Sequence, residues 1–235
     1  VQAFSSQSFD TKPPGAPTIA LNSDTGIADG ITSDGVVRVG GLDANLGSWQ
    51  YSTDGGSSWI TGSDRHFDLD EGTYGANIIQ AKQTDSAGLT STITTYSSVL
   101  TVDKSIDAPT LSPADGGNIF VSGYFVLTFA ETMSAATGKD IVIKNISGDA
   151  VVETIAANSD QVTISGGTVT INPTDANLVA GQNYYIEVAA GAFTDVAGNQ
   201  SAAITGSSAW NVGVDTVPTI GITSSDSALK AGETA

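Results

Sequence analysis

The chain has 235 residues, with 25 acidic against 8 basic side chains, one histidine and no cysteine, for a formal net charge of −17. So acidic a surface repels phosphate backbones and anionic lipid headgroups, which excludes nucleic-acid and membrane-surface partners from the expectations. With no thiol and only His66, disulfides, cysteine nucleophiles, multi-histidine zinc sites and a serine triad all drop out, whereas plentiful carboxylates suit a hard cation such as calcium.

Residues 1–10 lack the basic stretch and apolar core of a signal peptide and are read as a strand or tail from a preceding domain. Residues 11–106 form a first unit. Pro17-Thr18-Ile19 opens it, followed by a run with Val36, Val37, Val39 and Leu42 and by the alternating Trp49 and Tyr51. Residues 74–82 carry Ile78 and Ile79, and residues 91–102 are dense in Thr, Ser, Ile, Tyr and Val, which favour pleated, half-buried surfaces. The second unit, residues 107–215, shows apolar or β-branched runs at 124–129, 141–143, 151–155, 169–171, 184–188 and 209–214. Clusters of Gly, Asn, Asp and Ser separate the runs, the spacing of an all-β sandwich. Residues 134–137 are the one candidate for a short helical turn, and no stretch approaches the ~18 apolar residues of a membrane span. Residues 216–235 read as the start of a further domain or as a tail.

Two landmarks recur in the same order. Pro17-Thr18-Ile19, Pro109-Thr110-Leu111 and Pro218-Thr219-Ile220 each follow acidic residues: Asp10, then Asp103 and Asp107, then Asp215. Late in each unit Thr84-Asp85-Ser86-Ala87-Gly88 is echoed by Thr194-Asp195-Val196-Ala197-Gly198. A period of about 100 residues with repeated landmarks marks tandem small β-sandwiches. The stretches LNSDTGIADGITSDG, GSWQYSTDGGSSW and TDSAG of the first unit resemble the bacterial Ig-like repeats of giant type I-secreted, RTX-type adhesins. LSPADGG, LTFAETM, GAFTDVAGN and AWNVGVDTVP of the second resemble the Ig-like domains of S-layer and related surface proteins. The resemblance implies an all-β fold of tandem Ig-like sandwiches in a linear array. It also implies an extracellular stalk at the bacterial cell surface, with calcium stiffening the domain junctions. Leu89 stands where the second unit has Asn199, a departure that weakens a metal site there.

In an Ig-like sandwich the first strand starts at the end of the domain where the loop between the last two strands turns. That places Asp10, Asp85 and Asp43 together at an upper junction. Asp103, Asp107, Asp195 and Asn199 meet at a middle junction, with Asp24, Asp29, Asp70 and Glu71 arriving from the opposite pole of the first unit. Asp215 would begin a third junction. Carboxylates and amide oxygens are what calcium coordinates; the same residues also shape turns without any ion. Asp24, Asp29 and Asp34 lie on an acidic loop that either holds a separate ion or is simply solvated, and they lack the spacing of an EF-hand.

Ser52-Thr53-Asp54-Gly55-Gly56-Ser57-Ser58-Trp59 matches the Asp-box pattern, and one copy reads as a structural turn. Trp49 and Tyr51 read as core residues, with sugar stacking as the alternative. His66 beside Arg65 reads as a surface residue. No catalytic residues are assigned and no enzyme activity is expected.

The leading expectation is an extender segment of a surface adhesin or filament serving cell adhesion or biofilm formation. Its partners are neighbouring Ig-like domains of the same or adjacent chains. The alternative is a module that recognises glycan or protein through apical loops.

Overall fold

The computed structural model describes residues 9–215; the expectations for residues 1–8 and 216–235 lie outside them. Among the described residues every regular element is a strand except one 3-10 turn, Asp175–Asn177. No helix there is long and apolar enough to cross a membrane.

Alternation builds the first unit. Val36–Gly40 buries Val37 and Val39 and turns Arg38 outward, pairing antiparallel with Thr18–Leu21 and with His66–Asp68. Across the core lies a four-stranded sheet in the order Ile60–Thr61, Leu46–Ser52, Gln80–Asp85, Thr94–Thr95. Trp49, contributed by Leu46–Ser52, meets Val37, Val39, Phe67, Leu69, Ile79, Leu100 and Val102 in the interior, as expected of a core tryptophan. The Tyr51 ring stacks on Phe67 with centroids 4.1 Å apart.

The second unit is larger. One sheet runs Thr110–Ser112, Phe125–Thr128, Thr168–Ile171, Val162–Ser165. The other runs Gly117–Phe120, Asn211–Asp215, Asn183–Val188, Asp140–Asn145, Val151–Ala156. Between them Trp210 is fully buried, its edge on the Phe125 ring at 5.6 Å and its indole N–H donated to the Pro113 carbonyl at 2.8 Å. That bond satisfies the indole donor that burial would otherwise strand.

Both units split their opening segment between two sheets. After Thr18–Leu21, Ile31–Thr32 crosses over to lie parallel to the last strand, Leu100–Val102. After Thr110–Ser112, Gly117–Phe120 lies parallel to Asn211–Asp215. With the antiparallel remainder, this order makes both units Ig-like sandwiches arranged in tandem.

Three expected elements differ. Residues 74–82 are not one strand, because Gly72–Tyr74 ends at a turn and Gln80–Asp85 begins after it. Residues 91–102 break likewise into Thr94–Thr95 and Leu100–Val102. Residues 134–137 form no helical turn; Ser134–Ala135 pairs antiparallel with Phe193–Thr194.

Candidate metal centre

The repeated TDxAG motif folds the same way twice. Asp85 Oδ1 accepts the amides of Ala87 and Leu89, both at 2.9 Å. Asp195 Oδ1 accepts the Asn199 amide at 2.8 Å. In each turn the aspartate amide also donates to the carbonyl four residues on. Each turn is pinned six residues past its aspartate, where Ser91 accepts the Gln83 amide and Ser201 the Phe193 amide through their hydroxyls. Both aspartates are buried, and each holds its turn through Oδ1.

At the middle junction the first unit's last strand runs directly into Asp103, whose amide donates to the Thr32 carbonyl at 2.9 Å. Asp103, Asp195 and Glu131 offer carboxylate oxygens that all lie within 4.8 Å of one another. The Asn199 amide nitrogen ties two of them, donating to the Asp195 carboxylate and to the Asp103 carbonyl, both at 2.8 Å. Burial first, then the charges of Asp103 and Asp195, push the Glu131 carboxyl up to about 7. Like charges this close cannot all remain ionised without compensation. Lys104 next to Asp103 donates its ammonium to the Leu69 carbonyl at 2.7 Å. Three carboxylates supply up to six oxygens, a donor set of the kind and number that calcium takes.

Of the residues expected here, Asp103, Asp195 and Asn199 converge. Asp107 is exposed and lines the neighbouring cleft of about 360 Å³ together with Glu71, Asp103 and Glu131. Asp70 stands outside the cluster, its carbonyl accepting the Tyr74 hydroxyl, and Glu71, also expected among the junction acids, lines the neighbouring cleft outside the cluster. Glu131 is the member of the carboxylate cluster that sequence reasoning missed. It sits three residues beyond strand Phe125–Thr128, just as Asp43 sits three beyond Val36–Gly40, an equivalence that only the observed strand ends reveal.

At the upper pole of the first unit Asp10, Asp43 and Asp85 line one cleft of about 220 Å³ with Lys12 and Asn45. Asp10 accepts the Lys12 amide and Asp43 the Asn45 amide. They repeat the positions of Asp103, Glu131 and Asp195 without closing to the same distance, and Leu89 cannot bridge them as Asn199 does. Asp24 and Asp29 act as braces, accepting the Gly30 and Ile31 amides at 3.0 Å each. Asp34 accepts the Val36 amide and the Asn22 side chain. Asp215 accepts the Asn118 side chain at 2.9 Å.

The Asp-box is a turn. Asp54 accepts the Ser58 hydroxyl and amide and the Ser52 hydroxyl, and these bonds, those from Ser58 foremost, hold its carboxyl at about 2. The Lys82 ammonium sits 3.9 Å over the Trp59 ring.

Residues 103–211, the end of the first unit and most of the second, match the family model of a bacterial Ig-like domain. No curated protein matches the chain. Among solved structures, the chain is similar to one chain of the crystal structure of a mouse coronavirus receptor-binding domain complexed with its murine receptor: 15% identity, 74% of this chain and 92% of that one, TM-score 0.28. It is also similar to a tetra-tandem repeat in the extending region of a large adhesion protein: 17% identity, 79% of this chain and 47% of that one, TM-score 0.27. Scores this low establish no common fold, and the sandwich assignment rests on strand order.

Proposed function

We propose that the chain is an extender segment of an extracellular bacterial surface adhesin, in which calcium at the junction between two Ig-like units fixes one against the other. The observation that carries this reading is the Asp103–Glu131–Asp195 cluster, which draws one carboxylate from the end of the first unit and two from loops of the second. A cation there joins the units while cancelling their repulsion. Cell adhesion and biofilm formation follow as the setting in which a stiff spacer is useful.

At a free concentration one hundred times its dissociation constant, a bound ion adds about 2.7 kcal/mol of stability. For a unit of about 100 residues melting on its own, that raises the melting temperature by about 10–20 °C. Calcium is expected to produce that rise and to lengthen and stiffen the particle in small-angle scattering. Chelator should reverse both changes, and magnesium, which demands tighter octahedral geometry, should substitute poorly. Identical melting and scattering with calcium and with chelator would sink the reading.

A further inference from the structure

The junction has a second point of contact that contains no carboxylate. The loop after Thr18–Leu21 reaches from the first unit onto the Asp195–Asn199 turn of the second, where the Thr25 hydroxyl donates to the Ala197 carbonyl. Gly26 lies so close that a Cβ would stand 2.1 Å from the Val196 carbonyl oxygen. A Cβ on Gly198 would stand 3.0 Å from the Gly26 nitrogen. Only glycine permits backbones to approach like this, and Gly26, at φ +70°, also needs the left-handed region. The loop is stiffened on its own side, Thr25 bonding Ser33 and Thr32 while Asp24 holds Gly30. The contact is a main-chain clasp.

The first unit carries the same turn at its own upper pole. Asp85–Leu89 matches Asp195–Asn199 in its main-chain hydrogen bonds, and Gly88 and Gly198 share φ values of 88° and 89°. The two differ in what covers them. Ala197 is buried beneath the Thr25–Gly26 loop, whereas Ser86, Ala87 and Gly88 are exposed and a Cβ on Gly88 would meet nothing within 4 Å.

We propose that the Asp85–Leu89 turn is a docking surface for another Ig-like unit, one that presents a loop of the Thr25–Gly26 kind. Shape is the basis of recognition: a glycine able to lie flat against the turn, and a neighbouring hydroxyl to reach the Ala87 carbonyl. The identification rests on the spacer reading only in taking the partner to be a unit of the same class; the clasp itself needs no cation.

The test places residues 9–102 ahead of Asp10 of the full chain, so that Asp10 stands where Asp103 stands at the existing junction. As the chain has no cysteine, Ser97→Cys in both copies of the first unit gives a clean spin-label pair. Ser97→Cys with Ser147→Cys in the original chain reports the existing junction. A narrow distance distribution across the new junction, in calcium and in chelator alike, is expected. Gly26→Val in the added copy should broaden it, and so should Ala87→Arg in the copy that follows, whose exposed position leaves folding unaffected. A broad distribution at the new junction would overturn the proposal, as would a narrow one indifferent to both variants. Narrowing in calcium alone would overturn the clasp and leave the cation reading standing. A chain whose melting ignores calcium but whose new junction stays narrow would retain the clasp and lose the cation.

Discussion

Asp195 holds its turn and, in the proposed site, would also hold the cation, and the two roles can be separated at single positions. Its Oδ1 holds the turn, so Asp195→Ala strands a part-buried amide and should cost about 1–3 kcal/mol even without an ion, besides abolishing the calcium response. Glu131 makes no such structural bond. Its carboxyl is raised from 4.5 to about 7, so the folded chain binds this proton more tightly than the unfolded chain does. The contribution is therefore fully present below pH 4.5 and is lost as pH rises through 7. Metal-free protein should fall in melting temperature by a few degrees between pH 5 and pH 8, a fall that calcium should cancel. Glu131→Gln should flatten the metal-free profile and weaken calcium binding together. A metal-free profile equally steep in that variant would assign the proton elsewhere. Asp54→Ala, by contrast, should disturb only the Ser52–Ser58 turn and leave the calcium response intact.

At the scale of elements, strands with local alternation were readable, and those defined by distant partners were not. Val36–Gly40 and Leu46–Ser52 alternate inward and outward residues, and the period alone reveals them. Gly117–Phe120 pairs with Asn211–Asp215, nearly a hundred residues away, and no local pattern announces such a strand. Val162–Ser165 did carry a signal: it meets Thr168–Ile171 across Gly166-Gly167, a two-glycine hairpin turn that the sequence displays openly. The sites divide on the same line. The TDxAG turns were legible because their bonds are local, whereas Glu131 joins the cluster only through tertiary placement of the loop after Phe125–Thr128. Tight packing is invisible to pattern as well. A Cβ on Gly62 would stand 1.9 Å from the Trp49 ring, so Gly62→Ala should destabilise the first unit by about 1–3 kcal/mol through overpacking. Chemical denaturation of that variant should shift the midpoint of the first unit and spare the second.

Across the whole molecule the two sandwiches are unequal. The interior of the second joins twenty buried residues around Trp210, that of the first only eight around Trp49. The sheet carrying Val36–Gly40 ends at the three-residue edge strand His66–Asp68, whereas its counterpart in the second unit gains a further strand, Val162–Ser165. Since apolar burial is the dominant favourable contribution to folding, the first unit should unfold at the lower temperature. Two units joined by a short linker need not melt as one. Calorimetry in chelator is expected to resolve two transitions, with proteolysis near the lower one cutting first inside residues 11–102. Trp210→Ala, which removes the largest buried side chain, should cost about 3–5 kcal/mol and move the upper transition down. Calcium bound at the proposed site would act differently from either core. Asp103 belongs to the first unit and Glu131 and Asp195 to the second, so an ion held by all three is lost when either unit unfolds. The lower transition should therefore rise toward the upper one as calcium is added, until they merge. If the lower transition belongs to residues 107–215, or if calcium raises the upper one alone, the first unit is not the weaker partner and the shared site does not couple the two.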